Sequence, residues 1–110
     1  MIFELREYVA APGAAQRLHD RFATHTLGLF ARHGLEVVGY WTDREDESRI
    51  VYLLRFADEA ARTAAWNAFQ ADPEWKRVRA ASEADGPIVA EMHSRVLASP
   101  DYWTRTTVSA

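Results

Sequence analysis

At 110 residues the chain is long enough for one domain with a modest core, and 13 Lys and Arg interspersed with 16 Asp and Glu leave no basic stripe for nucleic acid. Cysteine is absent, which excludes a disulfide framework, a thiolate nucleophile and thiolate metal ligation. No apolar run reaches the length of a bilayer span, and the N-terminus reads as a strand rather than a basic-then-apolar leader, so the expectation is a soluble, cytoplasmic protein with no membrane partner.

The first element is a strand over residues 2–10. Successive side chains of a strand point to opposite faces, so Ile2, Glu4, Arg6 and Tyr8 share one side while Phe3, Leu5 and Glu7 share the other. An acid, a base and a phenol on a face headed by Ile2 mark where a polar interface or a small-molecule site would be built. Pro12-Gly13 breaks the strand, and a helix is predicted over 14–33, with Leu18, Phe22, His25 and Leu29 recurring in steps of three and four and Phe30 beside them. Gly34 stands where a left-handed helix end is wanted. Residues 35–42 read as the second strand and 43–48 as a charged hairpin loop. Residues 50–56 read as a third strand, apolar enough to be central and covered on both faces.

Asp58 is the candidate N-cap of an Ala-rich helix over 59–71, with Ala61, Ala65 and Phe69 inward and Trp66 flanking. Asp72-Pro73-Glu74 supplies a cap, a proline at the first helical position and an acid in the first turn, and restarts a helix running to about residue 84 with Trp75 and Val78 inward. Asp85-Gly86-Pro87 ends it, and residues 88–97 form the last strand. The domain therefore occupies residues 1–98, and residues 99–110 form a tail with Tyr102 and Trp103 as anchors.

Strand, helix, strand, strand, helix, strand, with right-handed crossovers, predicts an α+β, ferredoxin-like βαββαβ domain: a four-stranded antiparallel sheet with helices on one face. The apolar third strand calls for a cover other than water on the second face. A second copy packed sheet to sheet would make a dimeric α+β barrel and bury ~1,500 Å² or more, within the range of stable interfaces. A homodimer through the sheet face is thus the expected assembly.

Several local patterns, in order along nearly the whole chain, resemble the NIPSNAP family of the dimeric α+β-barrel superfamily. They are Met1-Ile2-Phe3-Glu4-Leu5-Arg6-Glu7-Tyr8 followed by Pro12-Gly13, then His33-Gly34-Leu35-Glu36-Val37-Val38-Gly39-Tyr40-Trp41-Thr42. Leu54-Arg55-Phe56-Ala57-Asp58, Asp72-Pro73-Glu74-Trp75 and the segment from Leu97 to Pro100 complete the set. The resemblance implies the ferredoxin-like fold and the side-by-side dimer. It implies little about reaction, since relatives in the wider superfamily include cofactor-independent oxygenases, haem-degrading enzymes, dehydratases and non-catalytic binding or scaffold proteins.

The polar face of the first strand carries the candidate chemistry. With strands one and three as neighbours, Arg55 is expected to share the face of Glu4, Arg6 and Tyr8, so that Glu4 pairs with Arg6 or Arg55. A buried ion-pair network that sets sheet and dimer register is one sufficient reason for these residues. The functional reading has Arg6 and Arg55 holding an oxyanion while Glu4 or His25 acts as base and Tyr8 and Tyr40 donate hydrogen bonds. His25, on the apolar stripe of the first helix, also reads as a satisfied core residue, and His93, in the last strand, as an edge or pocket residue. Tyr40 and Trp41 alternate faces, so one of them would line a flat aromatic ligand or the dimer interface. The four histidines lack metal-ligand spacing and have no cysteine to assist, so no metal is expected. No cofactor is called for, and haem on His25 or His93 rests on superfamily analogy alone. Two functions remain open: a cofactor-independent oxygenase, isomerase or cyclase acting on a small aromatic or polyketide-like molecule, and a non-catalytic dimeric scaffold.

Overall fold

A computed structural model describes residues 1–103; residues 104–110, the end of the expected tail, lie outside the described residues. Strand β1 (Ile2–Ala10) leads into helix α1 (Ala15–Arg21), which passes through one π-helical turn (Phe22–Thr26) into α2 (Leu27–Arg32). Strands β2 (Glu36–Asp43) and β3 (Asp46–Phe56) form a hairpin, helices α3 (Glu59–Ala71) and α4 (Pro73–Ser82) follow, and β4 (Val89–Ala98) closes the domain. All strand neighbours are antiparallel in the order β2-β3-β1-β4, so β1 and β3 are the central pair. This is the ferredoxin-like α+β arrangement that the element order predicts.

Local chemistry sets the element ends. Asp58 Oδ1 accepts the Ala61 N–H at 2.8 Å, and Asp72 Oδ1 accepts the Glu74 N–H at 2.8 Å, so both helices of the second half start on a carboxylate cap. Gly34 ends α2 at a φ of 80°, which a side chain would resist, while the Leu35 N–H returns to the Phe30 carbonyl at 2.9 Å. The expected charged loop shrinks to a turn at Arg44-Glu45, and both strands run up to it. The Asp43 carboxylate accepts the Glu45 N–H at 2.8 Å and closes the turn locally, which frees the remaining charged residues to stay in the hairpin.

The first helix departs from its predicted stripe. The extra residue of the π-turn moves the inward positions by one: Leu18, Phe22, Thr26, Leu29 and Phe30 are buried, and His25 is exposed. Thr26 is tolerated inside because its hydroxyl donates to the Arg21 carbonyl at 3.3 Å.

The core lies between the sheet and the helices. Ile50, Tyr52, Leu54 and Phe56 of β3 all face it and are buried. Around Tyr52 the rings of Tyr8, Phe22, Phe30 and Tyr40 lie with centroids 5.6–6.0 Å away, a spacing that suits tilted and edge contacts. The opposite face of the sheet is uncovered in the single chain. Its cross-strand rows run Gly39–Leu53–Leu5–Arg95, Trp41–Val51–Glu7–His93 and Glu36–Arg55–Phe3–Leu97 from β2 to β4. Trp41 folds over Gly39, where an added methyl group would run into the indole. Among the described residues no helix is long and apolar enough to cross a membrane.

Candidate functional site

Alternation along β1 places Glu4, Arg6 and Tyr8 under the helices. Glu4 is 0 % exposed, and four donors converge on its carboxylate. Oε1 accepts from Arg62 Nε and Trp66 Nε1, both at 2.8 Å, and Oε2 accepts from Arg6 Nη1 at 2.9 Å and Ser94 Oγ at 2.6 Å. Burial alone would raise the Glu4 pKa, but the bonds from Arg62, Ser94, Trp66 and Arg6 more than offset it and hold the carboxyl at about 2. A carboxylate with its four lone-pair positions filled has no place for another proton. Glu4 therefore has no free acceptor position to take up a substrate proton, contrary to the expectation that it serves as the base.

What Glu4 positions is Arg6. Arg6 Nε donates to the Tyr52 hydroxyl and Nη2 to the Tyr8 hydroxyl, each at 2.9 Å, and Tyr52 in turn donates to Tyr8 at 3.0 Å. Burial works against the Arg6 charge, yet the two facing phenols and Glu4 outweigh it and raise its pKa, so the guanidinium is permanently charged. The Tyr52 pKa is pushed up as well, by burial first and then by Tyr8, which keeps the phenol neutral.

The arrangement leaves a defined set of unused donors. Of five guanidinium N–H groups, Arg6 commits three to partners among the described residues, one at each nitrogen, and two remain. Tyr8 accepts twice, so its own O–H is free to donate. Both residues border a cavity of about 500 Å³ beneath α3 and α4, walled also by Met92 of β4, Trp66 of α3, and Trp75 and Arg79 of α4. The Arg6 Cζ lies 4.3 Å from the Trp66 ring centroid, a cation–π contact that holds the guanidinium against the wall.

The remaining predicted residues lie elsewhere. Arg55 sits across from Phe3 in the β1–β3 register, on the uncovered face, and pairs with Glu36; the expectation that it joins Arg6 fails because Glu4 stands opposite Leu54. His25 is exposed and borders a separate, open hollow of about 570 Å³ between the first helix and α4. Trp41 and His93 are exposed on the uncovered face, and His93 bonds to Glu91 at 3.2 Å. Tyr40 is inward, stacked on Tyr52, with its pKa pushed up by burial to about 12, but it borders a different hollow beside α2. Arg62, Ser94, Tyr52 and Arg21 belong to the site or its walls and were not singled out from sequence. Arg62 is four residues before Trp66, on the same helical face, and that spacing was the available signal. Among the described residues no three His, Asp or Glu side chains converge as a metal cage.

Fold and site together define a ferredoxin-like α+β domain with an arginine- and tyrosine-bearing cavity under its second helical layer. The family model described as NIPSNAP matches residues 3–102, and the chain belongs to the NIPSNAP family. A NIPSNAP family protein from Agrobacterium tumefaciens is similar in structure, with a TM-score of 0.80 at 16 % identity over 94 % of this chain and 97 % of that one. An uncharacterized NIPSNAP domain protein from Burkholderia xenovorans has a TM-score of 0.78 at 19 % identity, covering 94 % and 98 %. A structure described as antibiotic biosynthesis monooxygenase shares the fold at a TM-score of 0.60 and 14 % identity, covering 91 % and 99 %. No curated protein matches the sequence.

Proposed function

We propose that the cavity binds a small organic molecule through an acidic oxygen, a phenolate, enolate or carboxylate, held by Arg6 and Tyr8. The single observation that carries this reading is the donor inventory: two Arg6 N–H groups and the Tyr8 O–H have no partner among the described residues, and both residues border an aromatic-walled cavity. Donors fixed in advance at a developing negative charge are the largest common source of catalytic stabilisation. An enolate so held is set up for reprotonation at another carbon, the chemistry of an isomerase or cyclase, or for attack on dioxygen without a cofactor. The fold shared with a structure described as a monooxygenase supports the second course by analogy only.

The working unit in this reading is a homodimer joined through the uncovered sheet face. Leu5 and Leu53 are cross-strand partners there, with Phe3 and Val51 two residues along their strands, and an apolar cluster of this kind is poorly served by water. A melting-temperature screen against aromatic acids, phenols and enolisable 1,3-dicarbonyls tests the site. A ligand specific to the native state stabilises it by about 2.7 kcal/mol at a hundredfold excess over its dissociation constant. The expected result is a rise in midpoint that Arg6→Gln and Tyr8→Phe both diminish. A screen flat across all three classes, with a stable wild-type dimer, would move the conclusion to a non-catalytic scaffold, for which the saturated Glu4 network is structure enough.

A further inference from the structure

The two ends of the cavity are built alike. At one end Arg6 lies over the Trp66 ring and shares the Glu4 carboxylate with Arg62. At the other, Arg21 lies 5.2 Å above the Trp75 ring centroid and shares Glu83 Oε2 with Arg79, with Arg21 Nη1 donating at 3.0 Å and Arg79 Nε at 3.2 Å. Phe69 joins the two indoles, its centroid 5.8 Å from Trp66 and 4.6 Å from Trp75. The floor is thus an aromatic strip with a guanidinium in cation–π contact at each end. The ends are distinct: a smaller hollow is bordered by Arg6, Arg62 and Trp66, and the hollow between the first helix and α4 by Arg21 and Arg77.

Three observations set the Arg21 end apart from an ordinary ion pair. Arg21 is only 7 % exposed, and its Nε is buried with no hydrogen-bond partner among the described residues, a defect that native structures rarely leave without a reason. Glu83 is the only carboxylate in ion-pair contact with Arg21 or Arg79 among the described residues, so two cations share one anion. Glu91 of β4 points with His93 to the uncovered face of the sheet, where the two pair at 3.2 Å. Arg21 also immediately precedes the π-turn, an irregularity that occurs often at functional sites.

We propose that Arg21 and Arg79 form a second anion-binding subsite, and that the ligand is a flat aromatic acid carrying an acidic oxygen at each end. This rests on the oxyanion reading of Arg6 and Tyr8 and adds the shape and charge of the molecule. One acidic oxygen meets Arg6 and Tyr8, the ring system lies along Trp66, Phe69 and Trp75, and the second acidic group meets the Arg21–Arg79 pair.

The test is calorimetric titration with 2,6-naphthalenedicarboxylate and with 2-naphthoate, which differ by one carboxylate. A charge-assisted contact is worth roughly tenfold or more in affinity, and the diacid is expected to bind tighter by that factor. Arg79→Gln is the first variant, because Arg79 is exposed and its loss does not threaten the core; Arg21→Gln, checked for folding by circular dichroism, is the second. Both are expected to bring the diacid-to-monoacid ratio toward one. Equal binding of the two acids by the wild type, or a preference that persists in both variants, overturns the subsite. If the monoacid binds in an Arg6-dependent way without any diacid preference, this inference falls alone. If neither acid binds, the oxyanion reading falls and this inference with it.

Discussion

The Glu4 carboxylate on β1 and the Arg62 guanidinium on α3 meet at 2.8 Å, and this contact ties the sheet to its second helical layer. Glu4 is fully buried while Arg62 and Arg6 keep some exposure, so the acid is the member whose loss leaves the most broken. Removing one partner of a buried pair costs about 3–5 kcal/mol, and partial exposure of the two arginines puts Glu4→Ala toward the lower end, about 3 kcal/mol. Urea denaturation of the wild type and variant measures the difference. A loss under 1 kcal/mol would show that the network does not hold the layers.

Acid sensitivity follows from the same residue. The Glu4 carboxyl is lowered from an ordinary 4.5 to about 2 in the fold. The unfolded chain therefore takes up a proton first, and the stabilisation is complete above the unfolded value and lost as pH falls toward the folded one. Asp72 behaves likewise: His33, the Glu74 N–H and Arg32 hold it at about 2. The wild type is expected to lose stability steadily from about pH 4.5 to about pH 2, and Glu4→Gln, less stable throughout, is expected to show a shallower acid slope. Parallel slopes in urea melts across that range would contradict the assignment.

His25 and Thr26 trade places relative to a regular helix. His25→Ala is expected to change stability by less than about 0.5 kcal/mol, as for an exposed residue away from any cap or core. It should also leave ligand binding at Arg6 unaltered, since His25 borders a different hollow. A binding loss in His25→Ala, read by the same thermal shift, would place the site at the first helix.

Much of the fold was legible because it rests on periodicity and punctuation. Pro12-Gly13, Gly34, Asp58 and Asp72-Pro73 mark ends that backbone chemistry dictates, and each marks an element boundary in the structure. The inward face of β1 was legible for the same reason, since a period of two is strict within a strand. Parity between strands was not legible. Whether Arg55 joins Glu4 or Phe3 depends on β1–β3 register, and a shift of one residue reverses the answer. The π-turn likewise leaves no mark in the spacing of Leu18, Phe22 and Leu29, yet it decides that Thr26 is inside and His25 outside. Partners such as Ser94 and Arg62 lie 90 and 58 residues from Glu4, and only the folded sheet brings them together.

The proposed sheet-to-sheet dimer is tested by its mass. Leu5 lies at the middle of the uncovered face, between Leu53 and Arg95. Light scattering is expected to give the wild type twice the 12.5 kDa chain mass, and Leu5→Arg, which would bury an added cation beside Arg95 if the copies associate, the mass of one chain. A wild type at the single-chain mass at micromolar concentration would remove the dimer from the proposal.

The most direct test of the oxyanion site is an absorbance titration of 4-nitrophenol bound to saturating protein. A site that holds the anion through Arg6 and Tyr8 binds phenolate more tightly than phenol, so the bound dye should ionise at lower pH than the free dye. Tyr8→Phe should return the midpoint part of the way toward the free value. A dye that ionises at the same or a higher pH in the presence of wild-type protein would contradict the assignment of Arg6 and Tyr8 as the oxyanion contact.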